Sequence, residues 1–331
     1  MATQISWEHK IQIDPLWVDR QLDHHFHEQQ LKITVRGYTP KISGTSFSCD
    51  DLVTELGFMV TDYVLSEDKK TQVKQDLEHK YGSAFAQKNA ERHFQKIAQR
   101  FFGRKDPEKD GKFGELLLFA IVESILGSKM VAHKIVNLTN YKDQSKGGDG
   151  VFLGDYNVNA TQAVPAIFIG ESKIMQDFST ALEDALDSLN RFHAPDVRAE
   201  FNATEFIVAR DTMMNDEDYQ EMYERLSPGS DRYRSQVMVH PVLLMFNTAR
   251  INTFETKSLT PKDLEEALKA YMQKYKKHFL DAVAKKVASY PEVGKVFVDF
   301  FIFPFNDISK FRNAMYYNIH GVSYQKVTDE E

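Results

Sequence analysis

Charged side chains stand in the middle of the sequence, at places where most neighbouring residues are apolar or glycine. Glu115 lies at the start of an apolar stretch, and Asp149 lies between two glycines. Glu171 and Lys173 directly follow the apolar run 166–170. Carboxylates are hard oxygen ligands of the kind that bind Mg²⁺ or Mn²⁺, and a lysine can orient or deprotonate a water. Together these groups could neutralise a phosphate and activate water, which is what phosphodiester hydrolysis requires.

The Glu-x-Lys spacing alone does not identify a site, because the sequence contains it five times, at 8–10, 67–69, 78–80, 171–173 and 255–257. The fourth differs because it closes a continuously apolar run, which is typical of a strand buried on both faces. Residues i and i+2 of a strand point the same way, so Glu171 and Lys173 should share one face and Ser172 the other. Charges at the end of a buried strand lose solvation unless a partner such as a bound cation compensates them.

Asp149 and Glu115 can each also be interpreted as residues with a purely structural role. The segment 146–150 reads Lys-Gly-Gly-Asp-Gly and is also typical of a hairpin turn without a ligand. Glu115 shares a helical stripe with Leu118, Phe119 and Val122, and an acid in the first turn of a helix is also favoured by the helix dipole. For these two residues the sequence leaves both interpretations open.

The elements around these residues follow from the spacing of the apolar side chains. An almost wholly apolar helix is predicted from Lys112 to Leu126, ending at Gly127, and an amphipathic helix from Gln176 to Phe192. Between them we expect three strands, and after them three further strands and a charged helix. This order predicts an α/β (α+β) fold with a mixed central sheet flanked by helices. The three strands are 130–136, 150–153 and 166–170; the later elements are strands 205–209, 237–247 and 296–305 and the helix 261–286.

The N-terminal third predicts a mixed region with a strand at 31–36, a helix from Asp50 or Asp51 to Val64, and a basic amphipathic helix at 88–102. The polar segment 103–111 is bounded by glycines and contains a proline, which is typical of a linker. We therefore predict an N-terminal region at 1–105 and a second domain with a C-terminal extension at 106–331.

In combination, the motifs are Gly114-Glu115 on a helix, Gly148-Asp149-Gly150 before a strand, and Gly170-Glu171-Ser172-Lys173 on the next. This arrangement resembles the PD-(D/E)XK nuclease superfamily, with Gly-Asp in place of Pro-Asp. Within it, the chain resembles HamA, the nuclease subunit family of the Hachiman antiphage system, which carries a DUF1837 domain. The resemblance rests on residues 112–192.

The resemblance implies a PD-(D/E)XK core with N- and C-terminal additions and a Mg²⁺- or Mn²⁺-dependent deoxyribonuclease. Asp149 would be the motif's aspartate, with Glu171 and Lys173 as its Glu-x-Lys. Asp149, Glu171 and Glu115 would be the metal ligands, and Lys173 would act on the attacking water. It also implies DNA as substrate, and a superfamily-2 helicase partner, HamB, that restrains and licenses the nuclease.

The composition and the missing motifs exclude several classes of protein. The 331 residues carry 41 Lys and Arg against 48 Asp and Glu, a net charge of −7, which excludes a histone-like DNA clamp over the whole surface. The single cysteine, Cys49, excludes a disulfide framework. We expect no signal peptide, no membrane segment and a bacterial cytoplasmic location. The sequence has no Walker A, dinucleotide-binding, serine-hydrolase or zinc-protease motif.

Several features support rival interpretations. The histidines of segment 23–27 resemble a metal cluster, but no acidic or cysteine ligand is tied to them, so a polar face is the better interpretation. Basic runs at 92–112 and 274–286 are typical of solvated helices, although the first could contact phosphates. The alternative functions are a non-catalytic nuclease-fold subunit that scaffolds a helicase on DNA, and a nuclease of another restriction or repair system.

Overall fold

The computed structural model describes residues 7–133, 148–194, 216–227 and 229–325. Its α-helices are α1 (Trp17–Gln21), α2 (Asp50–Val64), α3 (Glu67–Tyr81), α4 (Ser83–Phe102), α5 (Lys112–Ile125), α6 (Phe178–Phe192), α7 (Asp216–Leu226), α8 (Asp231–Ser235), α9 (Ala249–Lys257), α10 (Pro261–Val287) and α11 (Ile308–His320). Its strands are β1 (Leu22–Gln30), β2 (Ile33–Pro40), β3 (Lys129–His133), β4 (Gly150–Asn159), β5 (Gln162–Met175), β6 (Val237–Asn247) and β7 (Phe297–Phe305). Short 3₁₀ turns occupy Trp7–Lys10 and Val293–Lys295.

The strands form one seven-stranded sheet in the order β1-β2-β7-β6-β5-β4-β3. The pairs β1–β2, β3–β4 and β4–β5 are antiparallel, whereas β2–β7, β6–β7 and β5–β6 are parallel. The predicted mixed sheet flanked by helices is therefore confirmed.

Strand β5 lies inside the sheet, and its two faces pack against different helices. Phe168 belongs to the core cluster that contains the apolar side chains of α5 and α2. Ile167 and Ile169, which point the opposite way, pack with Phe192 at the end of α6. This alternation follows from the pleat of a strand that is buried on both sides. It means that one side of β5 faces α5 and the other faces α6.

Helices α5 and α6 have the ends and the buried faces that their sequences predicted. Helix α5 is buried from Leu116 to Glu123 and ends before Gly127, whose φ of 62° an L-residue rarely adopts. Helix α6 begins at the N-cap Asp177, which accepts the Thr180 backbone N–H. Its predicted apolar stripe, from Phe178 to Leu189, is buried against the sheet.

The region before residue 105 contributes β1 and β2 to this same sheet. Strand β2 pairs with β7 from Ile33 opposite Val298 to Gly37 opposite Ile302. The predicted linker 103–111 accordingly connects two helices, α4 and α5, and does not separate two sheets. The division of the chain at residue 105 remains a prediction.

The remaining element predictions differ from the structure mainly in length. The strand predicted at 31–36 is β2, shifted by the turn at Leu31, whose φ is 54°. The strand predicted at 166–170 continues to Met175, because β6 pairs with it as far as Phe246 opposite Met175. Helix α3 was not predicted, since Leu77 is its one buried residue. Residues 134–136 and the strand predicted at 205–209 lie outside the described residues.

None of the described helices is long and apolar enough to cross a membrane.

Candidate active site

The C-terminal half of β5 carries the Glu-x-Lys pair. Lys173 Nζ lies 3.0 Å from Glu171 Oε1 and 2.8 Å from Asp184 Oδ2 of α6. The two residues therefore share the face of β5 toward α6, as the two-residue period predicted. Because β5 extends to Met175, the pair lies within the strand and not at its end. Asp184 is one of three acids of α6, and no feature of the sequence marks it as the partner of Lys173.

Lys173 is held as an ammonium by its two carboxylate neighbours. Burial lowers the pKa of Lys173, but the charges and hydrogen bonds of Glu171 and Asp184 outweigh burial, so the net pKa is raised. From the sequence, Lys173 could either orient a water or deprotonate it. The structure favours a protonated Lys173 that orients groups and stabilises negative charge.

Asp149 is fastened to β5 by three hydrogen bonds. Its Oδ2 accepts the Ser172 backbone N–H and the Ser172 hydroxyl, each at 2.7 Å, and its own N–H donates to the Gly170 carbonyl at 2.7 Å. A Cβ at Gly148 would lie 2.4 Å from Ile169 Cγ2 and 2.9 Å from the Gly170 carbonyl oxygen, so only glycine fits there. The turn therefore holds Asp149 against β5. Ser172 positions Asp149, whereas the sequence pattern predicted only that Ser172 faces away from Glu171 and Lys173.

Glu115 is positioned by the first turn of α5 and by a buried tyrosine. The Tyr63 hydroxyl donates to Glu115 Oε2 at 3.2 Å. Burial raises the pKa of Tyr63 well above its usual value, and the negative charges of Glu115 and Asp149 raise it further. Tyr63 therefore stays a neutral donor, and both carboxylates lie close enough to act on it. Tyr63 lies 52 positions from Glu115, so no local pattern could have revealed it.

Close packing brings the start of α5 onto β5. A Cβ at Gly114 would lie 3.1 Å from the Ser172 hydroxyl oxygen and 3.2 Å from Ile174. The absence of a side chain at Gly114 therefore lets α5 approach the strand beside the serine that holds Asp149. Glu115 follows directly, which explains how a residue of the helix comes near the turn.

The four predicted site residues thus surround one stretch of β5. Glu171 and Lys173 lie on the side of α6, whereas Ser172, with Asp149 bound to it, lies on the side of α5. Asp149 and Glu171 are each 7% exposed. Across the described ranges, no group of three or more His, Cys, Asp or Glu side chains converges to hold a metal ion. The ligand set of Asp149, Glu171 and Glu115 remains a prediction.

The donor chemistry fits a small divalent cation. Asp149 immediately precedes β4 and Glu171 lies on β5, where Gly150 pairs with Gly170. Mg²⁺ is commonly held by one or two carboxylates, with waters and substrate phosphates completing its octahedron. The donor types therefore suit Mg²⁺, whereas the two carboxylates approach β5 from opposite sides.

Arg312 adds a positive charge near the end of β5. Its Nη2 donates to the Ile174 carbonyl at 2.9 Å, and its Nη1 lies 3.2 Å from Glu108 Oε2. Its Nε is buried without a hydrogen-bond partner among the described residues. Arg312 joins α11 and the segment before α5 to the strand that carries the Glu-x-Lys pair.

The histidines of β1 lie apart from this site and form local hydrogen bonds. His25 Nε2 lies 2.8 Å from Thr39 Oγ1, and His24 Nε2 lies 2.9 Å from the Phe26 carbonyl oxygen. Burial lowers the pKa of His25 to about 4. These contacts agree with the polar-face interpretation of the segment.

The model of the HamA family matches residues 15–319 of the chain. The chain belongs to the HamA family. The match spans both the candidate site and the N-terminal strands of the sheet, so it covers far more than the motif-bearing stretch. Family membership makes the chain a subunit of the Hachiman antiphage defence system, which works with a partner in a complex. No curated protein matches the chain significantly.

Proposed function

We propose that this HamA family member is a metal-dependent deoxyribonuclease, the effector subunit of the Hachiman complex. The observation that supports it most directly is the arrangement around β5. Glu171 and Lys173 share a strand face, and a glycine turn fastens Asp149 to the residue between them. A subunit that only scaffolds a helicase would gain nothing from burying these charges, because burial of a charge costs free energy.

In this proposal Asp149 and Glu171 hold Mg²⁺ or Mn²⁺, and Glu115 contributes through a water or by positioning. The metal supplies neutralisation of the phosphate charge and a water with a lowered pKa. Lys173, protonated and held by Asp184, orients the attacking water and stabilises the charge that develops on the phosphoryl oxygens. Ser172 fixes Asp149, and Tyr63 fixes Glu115.

A cytosolic nuclease must be restrained, and this chain has no nucleotide-binding motif through which ATP could act on it. We therefore propose control by the helicase HamB. The docking surface that we propose for this partner carries two exposed aromatic residues: Phe58 on α2 is 72% exposed and Tyr317 on α11 is 58% exposed. Each flanks the point where α2 meets α11, since a Cβ at Gly57 would lie 2.1 Å from the Asn318 side chain. Exposed aromatic residues are typical of protein interfaces.

The test is DNA cleavage by the complex that the chain forms with its helicase, with Mg²⁺ and ATP present. Glu171→Gln and Lys173→Met should each lower the cleavage rate on the order of 10²-fold or more. The matched control is the pair Glu183 and Lys286, whose ion pair is also 3.0 Å long but is largely solvent-exposed. Glu183→Gln and Lys286→Met should leave the rate unchanged. Unaltered cleavage by both site variants would favour the scaffold function instead.

A further inference from the structure

Helices α3 and α4 form a hairpin whose tip carries an exposed aromatic pair. The helices are joined by Gly82 alone, whose φ of 88° suits glycine. Tyr81 and Phe85, on either side of it, are 53% and 43% exposed, and their ring centroids lie 4.7 Å apart. Lys80 Nζ lies 5.1 Å from the centre of the Tyr81 ring. The hairpin tip therefore presents two adjacent rings and a cation to solvent.

A row of cations runs from this tip along α4. Lys88, Arg92, Lys96 and Arg100 follow each other at intervals of four residues, so they line one side of the helix. All four are exposed, and none forms an ion pair within the described residues. The hairpin 67–102 contains eight Lys and Arg against five Asp and Glu, a net charge of +3 on a chain whose net charge is −7. The hairpin is therefore a local positive surface on an acidic protein.

The C-terminal end of α4, where the row ends, is connected to the candidate active site through buried aromatic side chains. Lys112, the first residue of α5, donates from Nζ to the carbonyl oxygen of Phe102, the last residue of α4, at 3.1 Å. The Phe102 ring packs on Tyr63, with centroids 6.0 Å apart, and Tyr63 donates to Glu115. From Phe85 to Phe102 the helix rises about 26 Å at 1.5 Å per residue. Stacked nucleotides rise roughly 3.4 Å each, so about eight of them would span this length.

We propose that the α3–α4 hairpin binds single-stranded DNA, with unpaired bases stacking on Tyr81 and Phe85 and the phosphates following the cation row toward Glu115. Stacking on aromatic side chains beside a cationic track is how proteins bind single strands without sequence preference. A duplex buries its bases and cannot use the rings, so the tip selects DNA that has an unpaired stretch. This inference rests on the proposed deoxyribonuclease function, because it names the substrate class for that site.

The first test measures binding of a fluorescently labelled 20-nucleotide oligothymidine and of a 20-base-pair duplex by the full chain, in EDTA so that no cleavage occurs. Tyr81→Ala with Phe85→Ala should weaken single-strand binding roughly tenfold or more and change duplex binding less than twofold. Leu259→Ala, which removes another exposed apolar side chain (89% exposed), is the control and should change neither. Circular dichroism checks folding of each variant, and neither ring belongs to a core cluster of the residues that the structure describes.

The second test separates phosphate contacts from stacking. Lys88→Ala, Arg92→Ala and Lys96→Ala together should weaken binding of both DNAs and reduce the dependence of the binding constant on salt, by a slope of about 2 for the single strand. The control is Lys277→Ala with Lys285→Ala, which removes two exposed lysines from the other basic run, on α10. This control should leave binding nearly unchanged.

The inference is wrong if the tip variant binds single strands as wild type does, or if it loses affinity equally for single strand and duplex. Unchanged DNA binding together with loss of the helicase complex would also overturn it, because the tip would then be a protein-docking site. Because binding is measured without metal, its failure is distinct from failure of the nuclease assignment. Inactive wild-type protein that still binds single strands through the tip would refute the nuclease and leave the DNA site in place.

Discussion

A buried ion pair at the far end of α5 provides a quantitative test of how this helix is held. Glu123 is fully buried, and its Oε1 accepts hydrogen bonds from Lys129 Nζ and from the Met130 backbone N–H, each at 3.0 Å. Lys129 Nζ also donates to Gln12 Oε1 at 2.7 Å. The pair ties the end of α5 to the start of β3 and to the N-terminal segment. We expect Lys129→Met to destabilise the protein by leaving a carboxylate buried without its cation.

The loss of stability expected for Lys129→Met follows from the burial of Glu123. Removing one partner of a buried ion pair costs about 3–5 kcal/mol, and the lower end applies because Glu123 keeps the Met130 N–H. For 331 residues the entropy of unfolding is roughly 0.7 kcal/mol per kelvin, so 3 kcal/mol lowers Tm by about 4 °C. Burial already raises the pKa of Glu123, against the opposing effect of Lys129, and loss of the lysine raises it further.

The pH dependence has a definite sign. The folded state of the variant binds the Glu123 proton more tightly than the unfolded state, whose carboxyl keeps its ordinary pKa of 4.5. The variant is therefore least affected near pH 4.5, and its loss of stability grows as the pH rises above that value. Thermal melts at pH 5 and pH 8 should show a larger deficit at pH 8.

Two further variants make this test decisive. Glu123→Leu combined with Lys129→Met removes both charges and should regain most of the stability, because an apolar replacement of a buried ion pair is often neutral or better. Lys262→Met removes an 82%-exposed lysine and should leave Tm unchanged. If Lys129→Met lowers Tm by less than 1 °C, or by the same amount at both pH values, the uncompensated charge is not the cause. A double variant as unstable as the single one would refute the reasoning equally.

Two more predictions concern the site and its partner. Asp149→Asn should raise the Mg²⁺ concentration needed for half-maximal cleavage at least tenfold. Glu115→Gln should raise it less, because Glu115 is held by Tyr63 and acts at longer range. Identical titration curves for wild type and the Asp149 variant would mean that Asp149 is a turn residue without a metal role. The double variant Phe58→Ala with Tyr317→Ala should elute separately from the co-expressed helicase on size-exclusion chromatography at micromolar concentration. The control is Leu31→Ala, which removes an 88%-exposed side chain and should still co-elute. Co-elution of the double variant would place the docking surface elsewhere.

Local patterns predicted the elements on which the site is built. The apolar stripes of α5 and α6 and the run that became β6 each repeat within a dozen or so residues, and the structure has them within two residues of the predicted bounds. The spacing of apolar residues within such a segment indicates whether one face or both faces are buried, independently of the rest of the chain. The shared face of Glu171 and Lys173 followed in the same way from the pleat.

Helix α3 and the second half of β5 were not predicted. Helix α3 is polar on nearly every side and is a helix because it packs on α4 around Leu77. The extension of β5 past Gly170 depends on pairing with β6, more than 60 positions further along the chain. Neither fact is a property of the segment itself, so neither could be predicted from its residues.

By itself, the sequence determined which residue types are available for chemistry and which way their strand or helix turns them. Only the tertiary structure decided their partners: Asp184 for Lys173, Ser172 for Asp149, and Tyr63 for Glu115. It also decided that β1 and β2 join the sheet through β7. The physical reason is that periodicity is a short-range property of the chain, whereas a hydrogen-bond partner is set by which distant surfaces pack together. The raised pKa of Lys173 is the clearest case, because it depends on a carboxylate from a helix that packs across the strand.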